Sequence, residues 1–288
     1  VLPVDHWAWE FRLSARGGPV DLQLALAQDP ASRAFALAAT DACSDPALAA
    51  VLRQLRPWFE GRLDPWVSAA FVELDAQHGA KSPLPLAFLK LRPLDPVAQA
   101  IGAAALVEQL AGAEEAAAFA SPLFRLVSSL PAGALTRYVA PLNARGARIV
   151  RWAASFPVVQ LSSWLHAIGW PGDAEAAQAE VLRLNPWTSH QLVMLDVAPD
   201  GLAPRLGVEF FWHRSRADDP RMLGLLTELA TWPDLDPARV AFARRWALGQ
   251  DVAPGLSPDL YIKLTFDGTR REVKSYLGCH TRSWASGT

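Results

Sequence analysis

Cysteine is nearly missing from this sequence: two in 288 residues, Cys43 and Cys279. Two such residues make neither a zinc-ligand spacing nor a disulfide framework, so a reduced, cytoplasmic protein is the expectation. Six histidines show no HExxH or other paired spacing, and no metal site is expected. Charge of one sign is not in excess. A formal net charge of -2 gives no electrostatic case for nucleic acid or an anionic membrane as partner. No run approaches the ~18 apolar residues of a membrane span. Val1 to Glu10 lacks the basic and apolar regions of a secretory leader. Glycine-rich phosphate loops and a G-x-S-x-G elbow are also absent. Tyrosine is scarce, at three residues, whereas tryptophan is abundant, at twelve. Trp152, Trp164, Trp170 and Trp187 fall close together and read as helix–sheet packing or as the wall of an acceptor site.

What is present is a series of two-residue alternations. Leu260, Ile262, Leu264 and Phe266 alternate with Tyr261, Lys263 and Thr265. After Asp267-Gly268, a strong hairpin signal, Glu272, Lys274 and Tyr276 alternate with Val273, Ser275 and Leu277. A period of two places one apolar face against a core and gathers two lysines and two tyrosines on the other. Matching parity across a short turn puts Lys263 and Lys274 on the same side. That side faces either bulk water or the inside of a barrel. A hairpin at the start sets Trp7, Trp9, Phe11 and Leu13 against Glu10, Arg12 and Ser14, turns at Gly17-Gly18-Pro19, and returns through Val20 to Leu26. Further hairpins run from Trp66 to Asp75 with Leu86 to Arg92, joined by a long polar connection over Gln77–Pro85, and from Gln191 to Val197 with Arg205 to Trp212.

Between the hairpins lie helical stretches: 30–62, 95–135 (Ala-rich, with Leu106, Leu110, Phe119, Phe124 and Leu130 as core contacts), a helix through Trp164, another over 173–183, and two over 219–231 and 236–248. Asp45-Pro46 supplies an N-cap and a first-turn proline. Nine strands are visible, with Arg148–Ser155 the lone strand among them. Cys279-His280 reads as a tail segment. No linker or change of composition divides the chain, so residues 1–288 read as a single domain of repeated hairpin–helix units. An antiparallel sheet of this size tends to curl, and closure with the helices outside removes its edges. The expected class is α+β: an antiparallel barrel with a polar lumen wide enough for a small ligand. An open sheet with cross-strand ion pairs in water accounts for the same charges.

The repeated helix–hairpin–helix units with apolar outer faces resemble the ABBA aromatic prenyltransferases, an antiparallel barrel inside a ring of helices. Trp9-Glu10-Phe11-Arg12-Leu13-Ser14 is similar to the first-strand glutamate context of the indole prenyltransferases. Glu73-Leu74-Asp75 with Leu89-Lys90-Leu91-Arg92, and Leu195-Asp196-Val197 with Arg205-Leu206-Gly207, resemble their Asp-Leu … Lys-x-Tyr hairpins without the tyrosine. Lys274-Ser275-Tyr276 has the complete Lys-x-Tyr. The resemblance implies transfer of a prenyl group from an allylic diphosphate to an aromatic small molecule or a peptide side chain. It implies Glu10 as the base, Lys90, Arg205, Lys263, Lys274 and Tyr276 around the diphosphate, and Tyr261 and Phe211 as a cation shield. No cofactor is expected beyond the allylic diphosphate co-substrate. Magnesium would be tolerated rather than required, since no DDxxD motif occurs. The residue pattern alone also fits a non-catalytic peptide- or protein-binding α+β scaffold, or a peptide-modifying enzyme of other chemistry.

Overall fold

A computed structural model describes residues 4–14, 18, 20–75, 84–93, 95–142, 147–212, 219–268 and 270–281. Ten strands form one closed antiparallel barrel. They are β1 (Val4–Arg12), β2 (Asp21–Leu26), β3 (Val67–Asp75), β4 (Leu84–Leu91), β5 (Leu135–Pro141), β6 (Val150–Ser155), β7 (His190–Ala198), β8 (Gly201–Phe211), β9 (Leu256–Asp267) and β10 (Arg270–Thr281). Each strand pairs with its neighbours in the chain, and β1 pairs with β10 to close the ring. Direct hairpin connections therefore gather at one end of the barrel and helical connections at the other.

Helices α1 (Pro30–Ala42), α2 (Pro46–Phe59), α3 (Pro96–Ala111), α4 (Ala113–Ser128), α5 (Leu161–Ala167), α6 (Ala174–Leu184), α7 (Pro220–Leu229) and α8 (Pro237–Ala247) fill the helical connections. Five of them open with Asp-Pro. The aspartates 29, 45, 95, 219 and 236 each accept backbone N–H groups of the first turn, and proline follows where no N–H is needed. The Ala-rich block divides into α3 and α4 at Gly112, whose φ of 96° ends the first helix. Among the described residues no helix is long and apolar enough to cross a membrane.

The apolar core lies between the outer barrel face and the helices. Leu260, Ile262, Leu264 and Phe266 of β9 belong to it, with Val273 and Leu277 of β10. Trp152, Trp164 and Trp170 are buried in the same core, so these tryptophans pack sheet against helix. Alternation thus places apolar residues outward and polar residues inward, the reverse of a water-soluble sandwich.

Several expectations are corrected. There are ten strands rather than nine among the described residues, because 135–141, which begins at the end of the helical block and carries no strand assignment from the sequence pattern, forms β5. Phe124, expected in the core, is 63% exposed on α4. The outer faces are not covered everywhere. Phe11 is buried, but Trp9 on the same face is 42% exposed. Arg92 lies beyond β4 and donates to the Asp64 carbonyl (2.7 Å), away from the lumen. Cys279 and His280 are not a tail but part of β10. The connection at 76–83 and most of the first turn, including Gly17 and Pro19, lie outside the described residues.

Candidate active site in the barrel lumen

The side chains inside the barrel sort into two layers. Toward the hairpin end is a floor of paired charges. Lys274 donates to the Glu10 carboxylate, and its Nζ is 3.9 Å from Glu272. Arg12 donates to Glu272 at 2.6 Å. Arg151 makes a two-bond fork to Asp196 at 2.7 and 2.9 Å. Burial alone would push the Glu10 carboxyl up. The ammonium groups of Lys274 and Lys263, with hydrogen bonds from Lys274 and Tyr276, outweigh burial and hold it at about 2. Burial likewise acts upward on Asp196, and its fork to Arg151 overcomes it, so that carboxyl sits below its ordinary value.

Toward the helical end the lumen opens into a cavity of about 150 Å³. One wall is a column of stacked rings. The His190 and Phe211 centroids are 5.1 Å apart, Phe211 and Tyr261 5.0 Å, and Tyr261 and Tyr276 4.2 Å with only 9° between planes. Phe71, Phe88, Tyr138, Leu192 and Met194 supply the other apolar surface. Burial, then the nearby carboxylate Glu209, raises Tyr261 and Tyr138, and burial with Glu10 raises Tyr276, so all three phenols stay protonated.

Two ammonium groups face this cavity. Lys263 pairs with Glu209 at 3.1 Å and lies 6.0 Å from the Tyr276 ring centroid. Its stem runs over Gly207, where a Cβ would approach Lys263 Cε to 3.0 Å. Lys90, at the end of β4, has no carboxylate partner among the described residues. Burial, then the charge of Arg137, depresses its pKa. Glu209 is pushed upward by burial, against the pull of Lys263.

The residues singled out in the sequence are therefore divided. Lys90, Lys263, Tyr261, Tyr276 and Phe211 line the cavity. Lys263 and Lys274 are direct cross-strand neighbours on the same side, as their parity predicts. Glu10 and Lys274 lie in the floor rather than in the cavity lining, and half-buried Arg205 stands opposite Asp267 near the hairpin end. The sequence reading missed Tyr138, His6 and Asp259, all of which line the cavity. Tyr138 was hidden with the unrecognised strand β5. His6 lies near the start of β1, whose aromatic residues are on the other face, and its parity with Ala8 and Glu10 points it inward.

Among solved structures the barrel has clear counterparts. AnaPT from Neosartorya fischeri superposes with a TM-score of 0.58 at 12% identity, over 94% of this chain and 77% of that one. The chain has the ABBA prenyltransferase fold. Apo prenyltransferase PriB gives 0.55 at 13% identity, over 96% of this ABBA chain and 79% of its own. The 5-dimethylallyl tryptophan synthase from Streptomyces coelicolor, in complex with DMASPP and Trp, gives 0.54 at 12% identity, over 99% and 80%. No family model and no curated protein matches the sequence. The likeness lies in the fold.

Proposed function

We propose that the chain transfers a prenyl group from an allylic diphosphate to an aromatic small molecule or a peptide aromatic side chain within the barrel lumen. The observation that carries this reading is the meeting, in one cavity, of a stacked aromatic column with a lysine that has no carboxylate partner among the described residues. An allylic cation needs aromatic faces, and a leaving diphosphate needs cations. Lys90 and Lys263 hold the diphosphate, Tyr261, Tyr276 and Phe211 shield the carbocation, and Tyr138 completes the enclosure. Lys274, Arg205 and Glu10 act from the floor, where paired charges close one end against water that would quench the cation. A cavity of about 150 Å³ is benzene-sized, which favours a dimethylallyl chain over longer ones.

The test is titration calorimetry with dimethylallyl, geranyl and farnesyl diphosphates, followed by mass analysis of mixtures with tryptophan, simple indoles and a tryptophan-containing peptide. Dimethylallyl diphosphate is expected to bind best, and Lys90→Met to weaken it by ~10- to 100-fold, the value of one charged hydrogen bond. The salt bridges already made by Lys263 and Lys274 are what a non-catalytic scaffold would show. An unmodified chain that binds none of the three diphosphates establishes that second reading.

A further inference from the structure

The floor leaves the proposed reaction without an obvious proton acceptor. Glu10 is spent on Lys274 and does not line the cavity. Of the other carboxylates in the lining, Glu209 is held by Lys263, and buried Glu73 is likewise engaged rather than free. The phenols are donors, and Tyr261 gives its hydrogen to Gln23 Oε1 at 2.7 Å. On the opposite side of Tyr261 from this floor, the strand starts of β1 and β9 bring a different pair into the lining, His6 and Asp259. His6 Nε2 is 3.5 Å from Asp259 Oδ2, with the imidazole 8% and the carboxylate 23% exposed.

The backbone beneath this pair is fitted to it. Gly278 of β10 lies directly between Ala8 and Asp259 in the ladder. A Cβ there would come within 2.5 Å of His6 Nε2, so a larger residue would displace the ring from its present place. The Gly278 carbonyl accepts from Trp246 Nε1 at 3.1 Å, which fixes the niche from outside the barrel. His280 stands next on the same strand, its ring centroid 6.4 Å from that of His6. A glycine niche that seats a buried imidazole against a carboxylate, facing a cavity, is more than packing requires.

We propose that His6, oriented and charge-stabilised by Asp259, takes the proton from the prenylated acceptor. This rests on the prenyl-transfer reading above. In the step, the allylic C1–O bond breaks and its electron pair leaves with the diphosphate. The acceptor's nucleophilic atom gives an electron pair to C1, forming the new bond. The hydrogen on that atom then passes as a proton to the His6 imidazole, and its bonding pair restores the aromatic or neutral acceptor. The imidazolium so formed is balanced by Asp259 and loses its proton to water after product leaves.

The experiment compares the unmodified chain with His6→Gln, Asp259→Asn, Gly278→Ala and Glu209→Gln, reading donor affinity by calorimetry, transfer by product mass, and donor hydrolysis to the prenyl alcohol. His6→Gln is expected to lower kcat for transfer by ~100-fold or more, to leave the donor Kd within about twofold, and to let hydrolysis continue. Asp259→Asn and Gly278→Ala should lower transfer in the same sense. If Gly278→Ala does not fold, His6→Gln decides alone. Full transfer by His6→Gln, or loss of transfer confined to Glu209→Gln, overturns the assignment while leaving the transferase reading intact. An unmodified chain that binds no allylic diphosphate removes the transferase reading itself, and this assignment with it.

Discussion

The lumen floor makes a quantitative prediction through Glu10. Replacing it with glutamine keeps the shape but removes the negative partner of Lys274, which then has only Glu272, 3.9 Å away and already engaged by Arg12. Stranding one charge of a buried pair costs about 3–5 kcal/mol. The depressed Glu10 carboxyl points to a cost of the same order. A carboxyl held at about 2 instead of 4.5 corresponds to about 3 kcal/mol, at 1.36 kcal/mol per decade. The two agree, so Glu10→Gln should lose about 3 kcal/mol near neutral pH, or roughly 6 °C in Tm.

The pH dependence distinguishes charge from packing. The folded carboxyl lies below its unfolded value, so its stabilisation is complete above pH 4.5 and is lost as the pH falls toward 2. Urea melts of wild type and Glu10→Gln should therefore converge as the medium is acidified. The double variant Glu10→Leu/Lys274→Met should recover most of the loss, because an apolar pair of similar volume replaces a desolvated one. A Glu10→Gln variant as stable as wild type at pH 7, or a deficit that stays constant on acidification, would refute the reasoning.

Two smaller expectations follow from single side chains. Asp95 accepts both Val97 N–H and Ala98 N–H at 3.0 Å, so Asp95→Ala should cost about 1 kcal/mol in urea melts; an unchanged melt would show that Pro96 alone starts α3. Burial and Arg137 hold Lys90 below its ordinary 10.5, so an arriving diphosphate should restore its proton, and calorimetry at alkaline pH in two buffers of different ionisation heat should record proton uptake that Lys90→Met lacks.

How far the sequence could be read depended on what each pattern encodes. In β9 and β10, alternation through Asp267-Gly268 fixed both register and side, because a two-residue period leaves no freedom once the turn is set. β5 escaped for a physical reason. It follows the helical block after Pro131 and Gly133, and its ladder with β4 shows just the pairs Leu89–Val139 and Lys90–Tyr138. Gln99 of α3 supplies what that short ladder lacks, its Oε1 accepting the Thr136 N–H at 3.0 Å, and no local pattern announces such a contact. Trp9 shows a second limit. Alternation told which way it points, outward, but not whether a helix covers it. The floor shows a third. Parity brought Lys274 and Glu10 to the same side, yet their partnership depends on closure between the first and last strands, more than 260 positions apart.

Closure also explains why the charges lie where they do. A ten-stranded barrel encloses more space than its backbone fills, and each inward position must hold something that fits a low-dielectric interior. At the helical end the connections are bulky and leave a mouth. At the hairpin end Pro199-Asp200 joins β7 to β8 in a two-residue turn. Long charged side chains fill this end, most deeply as the pairs Glu10 with Lys274 and Arg151 with Asp196. The charged groups that line the cavity are Lys90, Glu73, the Lys263–Glu209 pair beside the stacked rings, and the His6–Asp259 pair. An anion is drawn toward Lys90 and a positive carbon toward the ring faces. The transfer reading thus rests on this separation of charge within the cavity, more than on the number of cations in the barrel.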